Sequence, residues 1–187
     1  NLTDMERTAE ALKYADALFN ASDSSKFTGF DYTYYGTALK NDKQYDKAIE
    51  MFNKAMEENK GNEELVNSNR KALSDLYLAK EDFDKATAYY EEYLKHAPKT
   101  TASDMAGLAT IYMNLAAKQT GEQQKASFKK ADDVYARLGE KFPANIDFAN
   151  FMRARINSNL DPETKEGLAK PFYEAIVNSL ASKTDRD

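Results

Sequence analysis

The sequence predicts an all-α fold built from antiparallel helix pairs stacked side by side. Three observations predict it. The stretch Lys43-Gln44-Tyr45-Asp46-Lys47-Ala48-Ile49-Glu50-Met51-Phe52 returns 38 residues later as Glu81-Asp82-Phe83-Asp84-Lys85-Ala86-Thr87-Ala88-Tyr89-Tyr90. A looser copy runs Phe128-Lys129-Lys130-Ala131 with Tyr135, and a unit of this length cannot bury its apolar face alone. Seven glycines and four prolines in 187 residues are too few for the many tight turns of an all-β fold.

Taken in order, residues 4 to 22 read as an amphipathic helix with Met5, Ala9, Leu12, Ala15 and Phe19 at helical spacing, and Thr3 and Glu6 are placed to form its capping box. Residues 1–28 thus give an N-terminal helix and loop. The first pair spans 29–62: Tyr32, Tyr35, Gly36 and Leu39 mark its front helix, Ala48, Phe52 and Ala55 its back helix, and Gly61-Asn62 suits a left-handed stop. The second spans 67–100, with Leu73, Ser74 and Tyr77 in front, Ala86, Tyr90 and Tyr93 behind, and Pro98 at its close. The third, 102–143, carries Leu108, Ala109 and Tyr112, then Ala131, Tyr135, Leu138 and Pro143. Tyr77 to Ala86 is nine residues and Tyr112 to Ala131 is 19, so the extra ten should lengthen both helices, with Gly121 as the stop. The fourth, 145–180, has Phe148, Phe151 and Met152 in front. Asp161-Pro162 there reads as an N-cap and first helical residue, and Pro171 requires a helix that starts near Lys170 or kinks.

These positions resemble the tetratricopeptide repeat, a helix-turn-helix unit of about 34 residues. Gly36, Ala48, Phe52 and Ala55 match in the first pair, Leu73, Tyr77, Ala86, Tyr90 and Pro98 in the second, and Leu108, Tyr112, Ala131, Tyr135 and Pro143 in the third. Small residues let the two helices approach, and aromatics fill the space between pairs. Arg70 in an aromatic slot, Lys60 for the closing proline and Tyr93 for a small residue depart from the pattern. The resemblance implies one domain over 1–187, a right-handed superhelical solenoid of about four repeats. Leu160 to Tyr173 also resembles segments of such proteins from Bacteroidetes cell envelopes, which implies a periplasmic or envelope location.

In that family the front helices line a concave wall that takes a peptide or a partner protein. Carried over, the groove positions are Phe30, Tyr34, Thr37 and Asn41, then Lys71 and Asp75, then Asn114, then Asn150 and Arg153, with Thr33, Leu78, Thr110, Met113 and Asn157 beside them. Asparagines and charges suit a peptide backbone, and Phe30 and Tyr34 could anchor an apolar side chain. Thr33 and Thr37 stand where a carboxylate clamp needs lysine and asparagine, which excludes chaperone-tail specificity. The alternative is a carbohydrate- or cell-wall-binding module using Phe30 and Tyr34. Phe172, Ile176 and Leu180 leave the last helix apolar, so its face should be covered by a further repeat, a partner or, through self-association, a second copy.

Composition narrows the rest. A net charge of -5 opposes nucleic acid and anionic lipid. Absence of cysteine excludes disulfides and thiolate chemistry, and no apolar run approaches the length of a membrane span. The first residue, Asn1, suggests a processed or excised segment. His96 lies near a helix end, where a cation suits the dipole. Acid pairs such as Asp132-Asp133, Glu57-Glu58 and Glu91-Glu92 point about 100° apart on a helix and read as solvated faces rather than a glycosidase pair. No phosphate loop, calcium loop or zinc motif occurs, so the expectation is a non-enzymatic chain with no cofactor and no metal.

Overall fold

Hydrogen-bonding side chains placed just ahead of each apolar stretch decide where helices begin. In the computed structural model, which describes residues 2–21 and 26–184 (side chains 9–21 and 26–182), Thr28 and Asp31 close a capping box: the Thr28 N–H donates to the Asp31 carboxylate at 2.8 Å. Thr101 and Asp104 repeat it, at 3.0 Å one way and 3.1 Å the other. Asn62 and Asp82 accept from the backbone of Leu65 and Lys85. The helices that follow are α1 (Leu2–Ala21), α2 (Gly29–Asn41), α3 (Tyr45–Glu58), α4 (Glu63–Ala79), α5 (Phe83–His96), α6 (Ala102–Lys118), α7 (Gly121–Lys141), α8 (Ile146–Leu160) and α9 (Lys170–Thr184). No strand occurs among the described residues. The fold class is that of a tetratricopeptide-like solenoid of antiparallel helix pairs. The chain falls into two compact units, Asn1–Pro98 and Lys99–Asp187.

In the first unit one turn is used twice. Gln44 N–H donates to Leu39 C=O at 2.9 Å and Lys43 N–H to Lys40 C=O at 3.0 Å. Thirty-eight residues on, Asp82 bonds Tyr77 and Glu81 bonds Leu78 at the same two distances. This six-residue loop-back needs a left-handed residue in its fifth place. Lys43 (φ 62) and Glu81 (φ 58) supply it. The sequence reading put left-handed stops at Gly61-Asn62 and Gly121 instead. Structure corrects both, because α3 already ends at Glu58 with Asn62 capping α4, while Gly121 (φ 60) opens α7 rather than closing α6. A side chain in the left-handed region costs about 1 kcal/mol. Lys43→Gly should therefore raise stability by about 0.5 kcal/mol after the added freedom of the unfolded chain is subtracted, and Gly121→Ala should lower it by about 1 kcal/mol. Urea midpoints at unchanged m-value are the check.

Packing follows the small-against-large pattern. Ala48, Ala86 and Ala131 are completely buried, and so are Ser74 and Ala109 opposite them. A Cβ on Gly36 would meet the Phe52 ring at 3.1 Å, so the α2–α3 crossing is set by the missing side chain. Ser74 Oγ donates to Ala86 C=O at 2.7 Å across the next pair. Leu12, Leu39, Phe52, Leu73 and Leu76 join α1 through α4 in one core. Phe19 of α1 stacks on Phe27 at 4.1 Å and leans on Tyr35 at 4.4 Å. Tyr35 Oη donates to Asp16 at 2.5 Å, and burial, with that carboxylate beside it, pushes the phenol up to about 12. The helix α1 includes Thr3. The side chains of Thr3 and Glu6, and the loop residues Ser22–Ser25, lie outside what is described.

In the second unit α6 has 17 residues and α7 has 21, so the inserted residues go chiefly to α7. Gln124 Nε2 caps the Ala116 carbonyl at 3.1 Å, and Ser127 Oγ donates to Gln119 at 2.6 Å. A Cβ on Gly139 would sit 2.7 Å from the terminal methyl of Ile146 and 3.4 Å from the Ala149 Cβ, so α8 passes close to α7 at this glycine. Asp161 is not a helix start. It ends α8, and its carboxylate accepts from the N–H groups of Lys165, Glu166 and Gly167 at 2.9, 3.0 and 2.7 Å, holding the loop until α9 begins at Lys170 with Pro171 in its first turn. Proline is tolerated there because its missing N–H would have no helical partner.

Burial alone would raise the Asp161 carboxyl, but bonds from Gly167, Glu166, Leu168 and Lys165 outweigh it and hold it below the ordinary carboxylate range. A depressed value means the loop is braced above the unfolded value near pH 3.9 and released as pH falls through the folded one. The Gly167 amide resonance should titrate with a midpoint below 3.9 and become insensitive in Asp161→Asn. A midpoint at or above 4 would contradict the assignment.

Candidate functional surface

On α2 the aromatic residues divide by one residue of register. Tyr32 and Tyr35 pack inward on the core, whereas Phe30 and Tyr34, one turn apart, are 64% and 56% exposed. Thr37 and Asn41 continue their stripe and are exposed. Thr37 Oγ1 donates to Thr33 C=O at 2.8 Å. Thr33 is turned to α4, where its hydroxyl lies 3.2 Å from the Asn69 side-chain oxygen. On α4, Asp75 is exposed and 3.7 Å from Lys40. Lys71 is half-buried, its ammonium 4.8 Å from the Tyr93 ring centre, so its charge is partly occupied by α5. Leu78 is half-buried. The structure thus brings Phe30, Tyr34, Thr37, Asn41, Lys71 and Asp75 onto two adjacent front helices of the first unit.

In the second unit Thr110 and Asn114 are exposed on α6, with Met113 half-buried beside them. The residues expected on α8 stand otherwise. Arg153 donates twice to Asp132 of α7, at 3.0 and 2.9 Å, and lies 4.3 Å from the Phe172 ring of α9. Asn157 donates to the same carboxylate at 2.8 Å and is buried. These two groups serve helix packing, and Asn150 is half-buried on the same helix face. The outward stripe on α8 is Phe148, Phe151 and Arg155, all exposed. The signal that finds it is the trio Ala149, Ala154 and Ile156, which are buried and fix the opposite register.

The remaining chemistry is structural. His96 ends α5 with Nδ1 3.0 Å from Glu63 and Nε2 3.3 Å from Glu92. Arg70 bonds the Glu63 carboxylate as well. That bond, aided by the charges of Arg70 and His96, holds Glu63 below its usual range despite slight desolvation. The departure of Arg70 from the aromatic slot is explained: it ties the start of α4 to Asn67 and, through Glu63, to the end of α5. Among the described residues no cluster of three or more His, Asp or Glu could hold a metal, and no helix is long and apolar enough to cross a membrane.

Comparison with known proteins bears on what these surfaces are. Residues 41–112 match the family model for the tetratricopeptide repeat. The C-terminal part of a TPR repeat-containing protein from Cytophaga hutchinsonii superposes with a TM-score of 0.69 at 25% identity over 97% of this chain. This chain spans 64% of that solved chain. Nearly identical TPR-like repeats ascribed to a kinesin light chain of Podospora anserina give 0.65 at 14% identity, covering 98% of this chain and 91% of that one. MamA of MSR-1 gives 0.62 at 15% identity, covering 97% and 91%. No curated protein matches.

Proposed function

Because the chain is built of tetratricopeptide repeats, we propose that it is a non-enzymatic scaffold whose front helices bind a peptide or a partner protein. The repeat is a protein-interaction fold, and this supports the class of function. The observation that carries the site is the pair Phe30 and Tyr34. Two rings more than half exposed, one turn apart, flanked by Thr37 and Asn41, offer an apolar anchor beside backbone-bonding groups. Asp75 and the exposed edge of Lys71 add polar partners on α4.

The test is partner capture with Phe30→Ala combined with Tyr34→Ala, helix content being checked by circular dichroism. Loss of a specific partner by tenfold or more is expected, and undiminished capture would remove α2 from the binding surface. A glycan array addresses the carbohydrate reading: binding lost on Tyr34→Ala would favour it over a protein partner. The envelope location expected from the Leu160 to Tyr173 resemblance is tested by fractionating cells that express the natural gene.

Self-association belongs to the same reading. Phe52, Tyr90 and Tyr135 are buried at matching repeat positions, yet Tyr173, the fourth, is 46% exposed, and Val177, four residues on along α9, is 63% exposed. We take this stripe to be the next interface of the stack, filled by a further helix pair or a second copy. Light scattering of wild type and Val177→Glu separates the two, since only a second copy gives a dimer that the substitution dissolves.

A further inference from the structure

The front of the second unit carries a chemistry different from that of the first. Phe148, Phe151 and Arg155 are three and four residues apart on α8 and so form one stripe. The two rings are 46% and 47% exposed. Tyr135 links this stripe to α6: its ring meets Phe148 edge-on at 5.9 Å, and its hydroxyl hydrogen-bonds with that of Thr110. Thr110 and, one turn on, Asn114 are exposed on α6. Two apolar plates and a guanidinium therefore share one stripe on α8, with two polar side chains exposed on α6 across the buried Tyr135.

The guanidinium is uncommitted. Arg153, two residues earlier, has two of its three guanidinium nitrogens on Asp132. Arg155 instead meets the Met152 sulfur, at 3.9 Å, and the Phe151 ring, at 5.9 Å, and its charge acts on the Tyr135 phenol; among the described residues no ion pair with a carboxylate is seen for it. An arginine presents a planar fork that matches a carboxylate with two parallel hydrogen bonds. Aromatic faces beside it shed water when an apolar side chain lies on them, which strengthens the ion pair.

We propose that this face binds an acidic peptide segment, with a carboxylate on Arg155 and an adjacent apolar side chain against Phe148 and Phe151. Charge selects that occupant. Residues 1–98 hold nineteen Asp and Glu against thirteen Lys and Arg, whereas residues 99–187 hold twelve against thirteen. An acidic ligand meets least repulsion on the second unit, and a basic one would face Arg155 directly. Thr110 and Asn114 then serve the peptide backbone. The inference rests on front helices being the binding surface, yet uses no residue of α2 or α4.

The experiment is fluorescence anisotropy on the full chain with a labelled, C-terminally amidated decapeptide alternating glutamate and leucine. The amide removes the terminal carboxylate, so only side-chain acids can reach Arg155. The glutamate peptide should bind at least tenfold more tightly than its glutamine counterpart, and more weakly as salt rises. Arg155→Gln should erase that preference, Arg155→Lys should restore part of it, and Arg137→Gln on α7 should leave it intact. Equal binding of the two peptides, no saturable binding of either, or a preference untouched by Arg155→Gln would overturn the proposal. These outcomes leave the α2 reading standing, because that reading is decided separately by capture with the Phe30 and Tyr34 variants.

Discussion

Replacing Phe52 with alanine is expected to destabilise the first unit by about 3–5 kcal/mol, the cost of emptying a buried aromatic site that cannot collapse. Phe52 is only 2% exposed, and its ring lies against the bare backbone of Gly36 and within the cluster that includes Leu39, Leu73 and Leu76. None of these neighbours can advance to fill the gap without separating α2 from α3. Lost dispersion contacts therefore add to lost transfer energy. Thermal unfolding followed by circular dichroism should show a drop of roughly 10 °C or more. Phe52→Leu keeps much of the volume and should cost less than half as much. If alanine and leucine behaved alike, the close approach at Gly36 would not be what sets this interface.

Arg153→Met is the second large effect expected, at about 2–3 kcal/mol. The side chain keeps a similar apolar reach, so packing on Phe172 is largely retained while both bonds to Asp132 are lost. Asp132 is then left partly buried with Asn157 as its remaining side-chain donor. Restoring neutrality with Asp132→Asn in the same chain should recover part of the loss. A double-mutant cycle reports that coupling directly, and an interaction near zero would show that the pair is merely adjacent. Hydrogen exchange should find the loosening in α8 and α9, because the carboxylate sits on α7 and its partners on α8.

Helix pairing was legible because two separate patterns agree. Ala48, Ala86 and Ala131 recur with an aromatic four residues later, and each alanine proves to be fully buried. Exposure of Phe30 and Tyr34 was also legible, since Tyr32 and Tyr35 claim the inward register of α2. The fourth pair misled for physical reasons. Phenylalanine signals apolar surface without saying which way it faces: Phe148 and Phe151 mark the front helix, but its register is fixed by Ala149, Ala154 and Ile156, which fill the core. Asp161 before Pro162 has the composition of a helix start, but four following amides compete for the same carboxylate and win. Arg153 could not be told from a groove residue without knowing that Asp132 lies opposite on another helix. Glycine is the usual left-handed residue, and here Lys43 and Glu81 take that role in the two hairpin turns.

Those twin turns bear on how the chain reaches its fold. Each joins two helices through three residues, so partners meet that are close neighbours along the polypeptide. Little entropy is spent in closing such short links, and assembly should be fast, with no single late step that every hairpin must await. Nucleation could begin in more than one place. A nascent chain emerging from the ribosome would already hold a finished hairpin before its second half had been made.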